Sequence, residues 1–264
     1  MNAIALNSLA FNFNRMAGPA AGGLLIAFFG PGPNFFIQAA CYSGVALMVF
    51  PMHVRPRDLA ATRRSSPLSN FREGLNYVVK DKVTLALILV AMIPSLLLMP
   101  FASGLMPVFA KDVFHAGPQG LGLLLSALGV GGLLGALAVA SLGQVRRQGL
   151  LQLGAGILAG LGMIAFSRAT SMTLALPSIV FVGAAEMYFS AINNNALQAI
   201  TPDALRGRVM SIYMMDHGLV PLGSLLAGTL ADMYDSPLAV LVGGSLTVGL
   251  ILIAGVRFKA LRTV

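Results

Sequence analysis

This sequence of 264 residues has few charged residues, a single cysteine and no tryptophan. Charged residues make up 10% of the chain and hydrophobic residues 57%, whereas soluble domains carry about a quarter charged residues. There is too little polar surface to face water, which excludes a soluble globular domain. Cys41 has no partner in the chain, so an internal disulfide is excluded, and we interpret Cys41 as a small apolar residue.

The motifs of metal, nucleotide and hydrolase chemistry are also missing. His53, His115 and His217 are far apart in the sequence and give no metal-ligand spacing. The sequence has no G-x-x-x-x-G-K-[ST] run and no G-x-S-x-G run. We therefore predict no metal, no cofactor and no enzymatic activity. A membrane-embedded enzyme is the least favoured alternative, because no nucleophile and base pair can be assembled.

Long apolar segments fill most of the chain. A hydrocarbon core about 30 Å thick requires roughly 20 apolar residues at a helical rise of 1.5 Å. The segments of about that length are 4–30, 34–52, 84–110, 119–143, 150–167, 172–200, 209–233 and 236–256. The sequence predicts an all-α polytopic membrane protein with about eight transmembrane helices and the lipid bilayer as its surroundings.

Positive charge marks every second gap between these segments. Of the 17 Lys and Arg residues, 14 lie in residues 55–82, 146–147, 206–208 and 257–262. The positive-inside rule places those gaps in the cytoplasm and predicts a multi-pass cell-membrane protein with both termini cytoplasmic. The net charge of +8 does not favour nucleic acid as a partner, because the cations lie beside membrane spans, where anionic lipid is the expected contact.

The longest gap, residues 53–83, is the predicted boundary between the two helices of 1–52 and the six helices of 84–264. From Asn70 onwards, apolar residues recur at helical spacing and Glu73 follows three residues later, which is typical of a helix start. We predict a short amphipathic helix on the cytoplasmic membrane surface. The alternative is that this segment extends the next span.

Glycine and proline are frequent within the spans. Three glycine pairs spaced four residues apart predict close helix contacts; these pairs are Gly18 and Gly22, Gly131 and Gly135, and Gly156 and Gly160. Five prolines predict local breaks in helical hydrogen bonding; these are Pro94, Pro100, Pro107, Pro177 and Pro221.

Glu186 is the most informative polar residue, because it lies near the centre of span 172–200. An intramembrane charge requires a partner, a water-filled cavity or a function. Ser190, Asn193 and Asn194 follow at spacings that share a helix face, so we expect this face to line a cavity. Glu186 could bind a proton or a cationic substrate there. A buried ion pair or a hydrogen bond to a neighbouring helix is the structural alternative.

Two further charged residues are candidates for the same cavity. Asp216 lies eight residues beyond Arg208, inside span 209–233, where a gate or a cytoplasmic network is as well supported as substrate contact. Arg15 lies in the first segment and must pair, reach water or extend to the membrane surface, since arginine keeps its charge. If the span begins near residue 16, Arg15 is only its cytoplasmic flank.

Several segments together resemble exporters of the major facilitator superfamily. Residues 5–8 and 15–23 resemble the fifth helix of these exporters, with their antiporter motif at Gly18, Pro19, Gly22 and Gly23. Residues 201–211, which contain Arg206, Gly207 and Arg208, resemble the loop between the tenth and eleventh helices in the enterobactin-exporter-like and macrolide-efflux-like branch. Residues 71–75 and 221–228 resemble the central loop and the eleventh helix.

The resemblance implies a twelve-helix fold in two halves and proton-coupled export of a small molecule, of drug or siderophore type. This chain corresponds to helices five to twelve only, and residues 143–149 are a degenerate form of the cytoplasmic gating motif. We therefore expect a truncated exporter. The alternatives are a short chain that pairs with a partner chain supplying the missing helices, and a membrane remnant without transport activity.

Overall fold

Helices make up the secondary structure of the chain in its computed structural model, which describes Leu25 and residues 29–51, 67–141 and 148–262. No strand occurs within those residues. The helices are α1 (Pro31–Val49), α2 (Pro67–Lys80), α3 (Lys82–Val113), α4 (Gly117–Ser141), α5 (Gln148–Ser167), α6 (Met172–Ile200), α7 (Asp203–Met233) and α8 (Ser236–Arg257). A 3₁₀ turn, Lys259–Arg262, follows α8. The predicted all-α class is confirmed.

Helices α3 to α8 are long and apolar enough to cross a membrane. They match the last six predicted spans, with boundaries that move by up to six residues. Helix α1 begins three residues before the predicted span 34–52 and is not among the six, because Asn34 and Gln38 make its first half less apolar. The predicted span 4–30 lies almost wholly outside the described residues.

The amphipathic segment forms a separate helix, α2, which begins at Pro67 rather than at the predicted Asn70. Proline is tolerated in the first turn of a helix, where its missing N–H has no helical partner. Helix α2 ends at Lys80, and the next residue caps α3: Asp81 Oδ2 accepts hydrogen bonds from Thr84 N at 2.8 Å and Thr84 Oγ1 at 2.5 Å. This cap excludes the alternative in which α2 is a continuous extension of α3.

The helix most disturbed by proline is α3. A π-helical turn, Pro94–Leu98, begins at the first proline, and a second, Phe109–Val113, follows Pro107. Proline removes a backbone donor and displaces the preceding carbonyl, which favours such a change of hydrogen-bond register. In α7, a 3₁₀ segment, Met214–Leu219, lies just before Pro221. Helix α6, in contrast, stays α-helical through Pro177.

Glycine pairs bring helix backbones together as predicted. At Gly131 and Gly135 of α4, an added Cβ would overlap the carbonyl oxygens of Val180 and Ala184 in α6. Gly183 of α6 meets the carbonyl of Leu128 in the same way. The α4–α6 seam, defined by these contacts, is therefore packed without intervening side chains.

The second described pair, Gly156 and Gly160, lies on α5. A Cβ added at Gly160 would lie 3.0 Å from the carbonyl oxygen of Gly244 in α8, and one added at Gly156 would overlap the Ile251 side chain. This pair is thus also a helix contact. The pair Gly18 and Gly22 lies outside the described residues.

Apolar side chains pack inside the bundle and also cover its outside. In the interior, the rings of Phe109 and Phe166 lie 4.5 Å apart between centroids, and neither is exposed. On the outside, Leu225 and Ile253 are 66% and 62% exposed. Apolar surface on this scale is expected to face lipid rather than water.

Candidate functional site

Three helices enclose a small cavity of about 50 Å³. Its polar lining residues are Ser95 of α3, Glu186 and Ser190 of α6, and Tyr213, Asp216 and His217 of α7. Two carboxylates that lie 30 residues apart in the sequence therefore face one small space. This is the candidate functional site.

Asp216 is held by a hydrogen bond at each carboxylate oxygen. Its side chain is 6% exposed, Oδ2 accepts a hydrogen bond from Ser95 Oγ at 3.1 Å, and Oδ1 lies 2.6 Å from His217 Nδ1. The His217 side chain is 69% exposed, so its ring reaches from the buried carboxylate to the surroundings. The arrangement links an exposed imidazole ring to a buried carboxylate.

Both polar partners of this bond lie in irregular turns. Ser95 is the second residue of the first π turn in α3, and Asp216 lies within the 3₁₀ segment of α7. Such turns change the direction of side chains relative to a regular helix and recur at functional sites. Close by, Gly223 lets α7 approach the carbonyl of Leu96 and the ring of Pro100, which fixes α3 against α7.

Glu186 lines the cavity from α6, one turn before Ser190. Its predicted position near the centre of a 29-residue helix is reproduced, since α6 runs from Met172 to Ile200. The side chain is half-buried, which leaves it less exposed than a surface carboxylate. The side chains of Glu186 and Asp216 therefore line the same cavity.

Asn193 and Asn194 are placed outside this lining. Asn193 is fully buried between α5 and α6, where its Oδ1 accepts a hydrogen bond from Gln152 Nε2 at 2.6 Å. Among the described residues, no hydrogen-bond partner is present for the buried Gln152 Oε1 and Asn193 Nδ2. Asn194 Oδ1 accepts a hydrogen bond from Gln198 Nε2 along the same helix. The structure thus divides the predicted polar face into a cavity part and an interhelical part.

Sequence reasoning missed two partners in these networks, Ser95 and Gln152. Each is a polar residue within an otherwise apolar predicted span, 84–110 and 150–167 respectively. A search for every hydrogen-bonding side chain in the spans, rather than for charges alone, would have found both.

The residues predicted as a loop motif, Arg206, Gly207 and Arg208, lie instead in the first two turns of α7, at the basic end of the bundle. Arg206 pairs with Asp203 at 2.5 Å and donates to the carbonyl of Gln198 at 3.2 Å. Arg208 pairs with Glu73 of α2 at 2.5 Å. These contacts close the α6–α7 turn and join α2 to α7.

Glycine allows α2 and α7 to meet closely at this end. A Cβ added at Gly74 would lie 3.0 Å from Arg208 Cβ, whereas one at Gly207 would meet nothing within 4 Å. The remaining predicted residues, Arg15 and the antiporter-like Gly18, Pro19, Gly22 and Gly23, lie outside the described residues.

The bundle and its cavity define a class of protein. Six apolar spans, a lipid-facing exterior and an internal pair of carboxylates are the features of a multi-pass membrane transport protein. The sequence comparison specifies this class further: residues 1–263 match the family model described as "Transmembrane secretion effector". The chain belongs to this family, which is part of the major facilitator superfamily.

Curated relatives are named as transporters rather than enzymes. The multidrug efflux pump Tap of Mycolicibacterium fortuitum is 32% identical over 84% of this chain and 54% of its own length. The staphyloferrin A transporter of Staphylococcus aureus is 29% identical over 88% of this chain and 57% of its own. The enterobactin exporter EntS of Escherichia coli is 25% identical over 88% and 55%. The chain thus spans little more than half the length of these relatives.

Proposed function

We propose that this chain is the later part of a proton-coupled exporter of small molecules in the cell membrane. The observation that carries the proposal is the cavity shared by Glu186 and Asp216. Such transporters place substrate and coupling-ion sites near the bilayer centre, where discontinuous helices meet. The interrupted helices α3 and α7 meet at this cavity.

In this proposal Asp216 is the proton-binding group. When its carboxylate is charged, it accepts the hydrogen bond from Ser95 and thereby ties α3 to α7. A proton on Asp216 Oδ2 would turn this acceptor into a donor and weaken the tie. His217 supplies the route for the proton, and Glu186 supplies a second negative charge for a proton or a cationic substrate. Arg15 is proposed as a further cavity residue on the sequence alone.

We propose a cytoplasmic location for the basic end of the bundle and for both termini. The support is the alternation of basic gaps in the sequence, together with the contact of Glu73 and Arg208 at one end. Residues 1–52 would then contribute the last two helices of the first half, residues 53–83 the cytoplasmic linker, and residues 84–264 the six-helix second half.

A second candidate is a subunit that requires other helices for transport. Helix α1 favours it, since Phe35, Phe36 and Leu47 are 71, 80 and 75% exposed. The first half of the pathway would then be formed by α1 and helices from a longer form of the chain or from a partner chain. Without such helices, the remnant alternative predicts a folded bundle that transports nothing.

Reconstituted transport tests the proposal. The 264-residue chain is placed in proteoliposomes with a trapped pH-sensitive dye, and ethidium is added as a cationic probe together with an imposed pH gradient. We expect ethidium movement coupled to proton movement. Asp216→Asn and Glu186→Gln should abolish the coupling, because each removes a titratable group from the cavity.

Asp232→Asn is the matched control. Asp232 lies on the same helix as Asp216, is exposed, and does not line the cavity, so the same chemical change there should leave coupling intact. Coupling that survives Asp216→Asn in a folded protein would refute the assigned role. A different result would favour the partner-subunit candidate. In that result the 264-residue chain is inactive alone, but it gains coupled transport when it is reconstituted together with separately expressed helices from the first half of a relative.

A further inference from the structure

Helix α8 ends in an open groove of about 590 Å³ that combines an apolar wall with two cations. The wall consists of Leu252, Ile253 and Val256, and the cations are Arg257 and Lys259. The three apolar side chains are 51, 62 and 69% exposed, so no other described helix covers them. The lining includes no acidic residue.

These two cations differ from Arg206 and Arg208 in their pairing. Arg206 and Arg208 form ion pairs with Asp203 and Glu73. Within the described ranges, neither Arg257 nor Lys259 forms an ion pair with a carboxylate. No carboxylate of the described ranges therefore neutralises the charge of the groove.

The backbone holds the cations in place. After α8, Phe258 N donates to the Ala254 carbonyl at 2.8 Å, and Leu261 N donates to the Phe258 carbonyl at 3.0 Å. The Leu261 side chain is fully buried, and its carbonyl lies so close to Gly149 of α5 that a Cβ there would overlap it. The 3₁₀ turn that carries Lys259 is thus anchored to the bundle, so the spacing between the apolar wall and the charges is preorganised.

We propose that this groove binds an anionic phospholipid, with an acyl chain along Leu252, Ile253 and Val256 and the headgroup phosphate at Arg257 and Lys259. The charge complementarity selects the occupant: an apolar strip ending in two cations at the end of a membrane span matches the order of chain and phosphate in a lipid. The partial negative charge at the end of α8 helps to hold Arg257, the last residue of the helix, near that position.

The absence of native tryptophan permits a direct test. Ile253→Trp introduces a single reporter into the groove, and its fluorescence is quenched by lipids with brominated acyl chains. The purified full chain is placed in vesicles containing brominated phosphatidylglycerol or brominated phosphatidylcholine. We expect phosphatidylglycerol to be preferred several-fold, up to about thirtyfold for two cations acting fully.

The charge variants separate a site from general surface attraction. Arg257→Gln combined with Lys259→Gln should bring the preference close to one. The control variant combines Lys111→Gln with Arg168→Gln and removes two charges at the other end of the bundle, near the ends of α3 and α5. It should leave the preference for phosphatidylglycerol unchanged. The charge-conserving pair Arg257→Lys and Lys259→Arg should retain most of it.

The proposal is overturned if the parent reporter shows no preference, or if the preference survives the glutamine pair. The comparison of the two lipids with the parent reporter, Ile253→Trp alone, still tests the proposal if the double glutamine variant does not fold. Competition by soluble glycerol phosphate at millimolar concentration would also overturn it, because the site would then recognise a free phosphate ester and not a lipid. Because none of these measurements involves transport, their outcome is independent of the proposed function.

Discussion

The α4–α6 seam makes a sharp prediction about two adjacent glycines. Gly131→Ala places a methyl group against the Val180 carbonyl, whereas a Cβ at Gly132 meets nothing within 4 Å. Overpacking typically costs about 1–3 kcal/mol. Each substitution also gains about 0.5–1 kcal/mol because alanine favours a helix interior. The gain cancels between the two variants, so Gly131→Ala should be less stable than Gly132→Ala by about 1–3 kcal/mol.

The assay is unfolding of both purified variants and the parent in mixed micelles titrated with a denaturing detergent, followed by circular dichroism. Gly132→Ala should match or slightly exceed the parent in free energy of unfolding. Thermal midpoints of Gly131→Ala should lie about 2–12 °C below those of Gly132→Ala, at about 2–4 °C for each kcal/mol. Equal stability of the two variants would refute the claim that the seam has no room for a side chain.

Three further predictions concern polar contacts and use the same unfolding measurement. Asn193→Leu alone should lose about 1–3 kcal/mol because it leaves the Gln152 amide buried and unpaired, and adding Gln152→Leu should recover part of that loss; a double variant worse than the single would contradict this. Glu73→Lys and Arg208→Glu should each lower the free energy of unfolding, whereas the double variant, which exchanges the two charges, should recover a coupling energy of about 0.2–1 kcal/mol that declines at high salt. A coupling energy of zero at low salt would show that this ion pair does not hold α2 against α7. Asp81→Ala should lose about 0.5–2 kcal/mol as the α3 cap disappears, with Asp81→Asn as the control that keeps an acceptor; equal losses in the two variants would argue against capping.

The fold was predictable where a single physical signal dominated. Apolar length located α3 to α8, because a bilayer imposes a minimum length on each span. The pairs at Gly131 and Gly156 were readable because a spacing of four residues places both glycines on one helix face. The start of α2 at Pro67 was missed, since the apolar period begins only later and proline in a first turn resembles a linker.

The candidate site was predictable only in part. Glu186 and Asp216 stood out because an intramembrane charge is costly wherever it lies. Their convergence depends on the packing of α3 against α6 and α7, which no local pattern encodes. Ser95 gave no signal as a partner, because its direction is set by the π turn that begins at Pro94. Asn193 lies on nearly the same face of α6 as Glu186 but about two turns further along the helix, where its neighbour is Gln152 of α5.

The contrast between the α4–α6 seam and helices α3 and α7 determines which parts of the bundle can deform. At Gly135 and Ala184 the backbones of α4 and α6 are in direct contact, so sliding one helix along the other would push atoms into carbonyl oxygens. The two helices therefore move as one rigid unit. Helices α3 and α7 each contain a turn whose hydrogen bonds are already out of α-helical register. Bending at these turns therefore breaks few regular α-helical hydrogen bonds. The cavity thus lies between two helices with irregular turns, α3 and α7, and a third helix, α6, whose backbone is packed directly against α4.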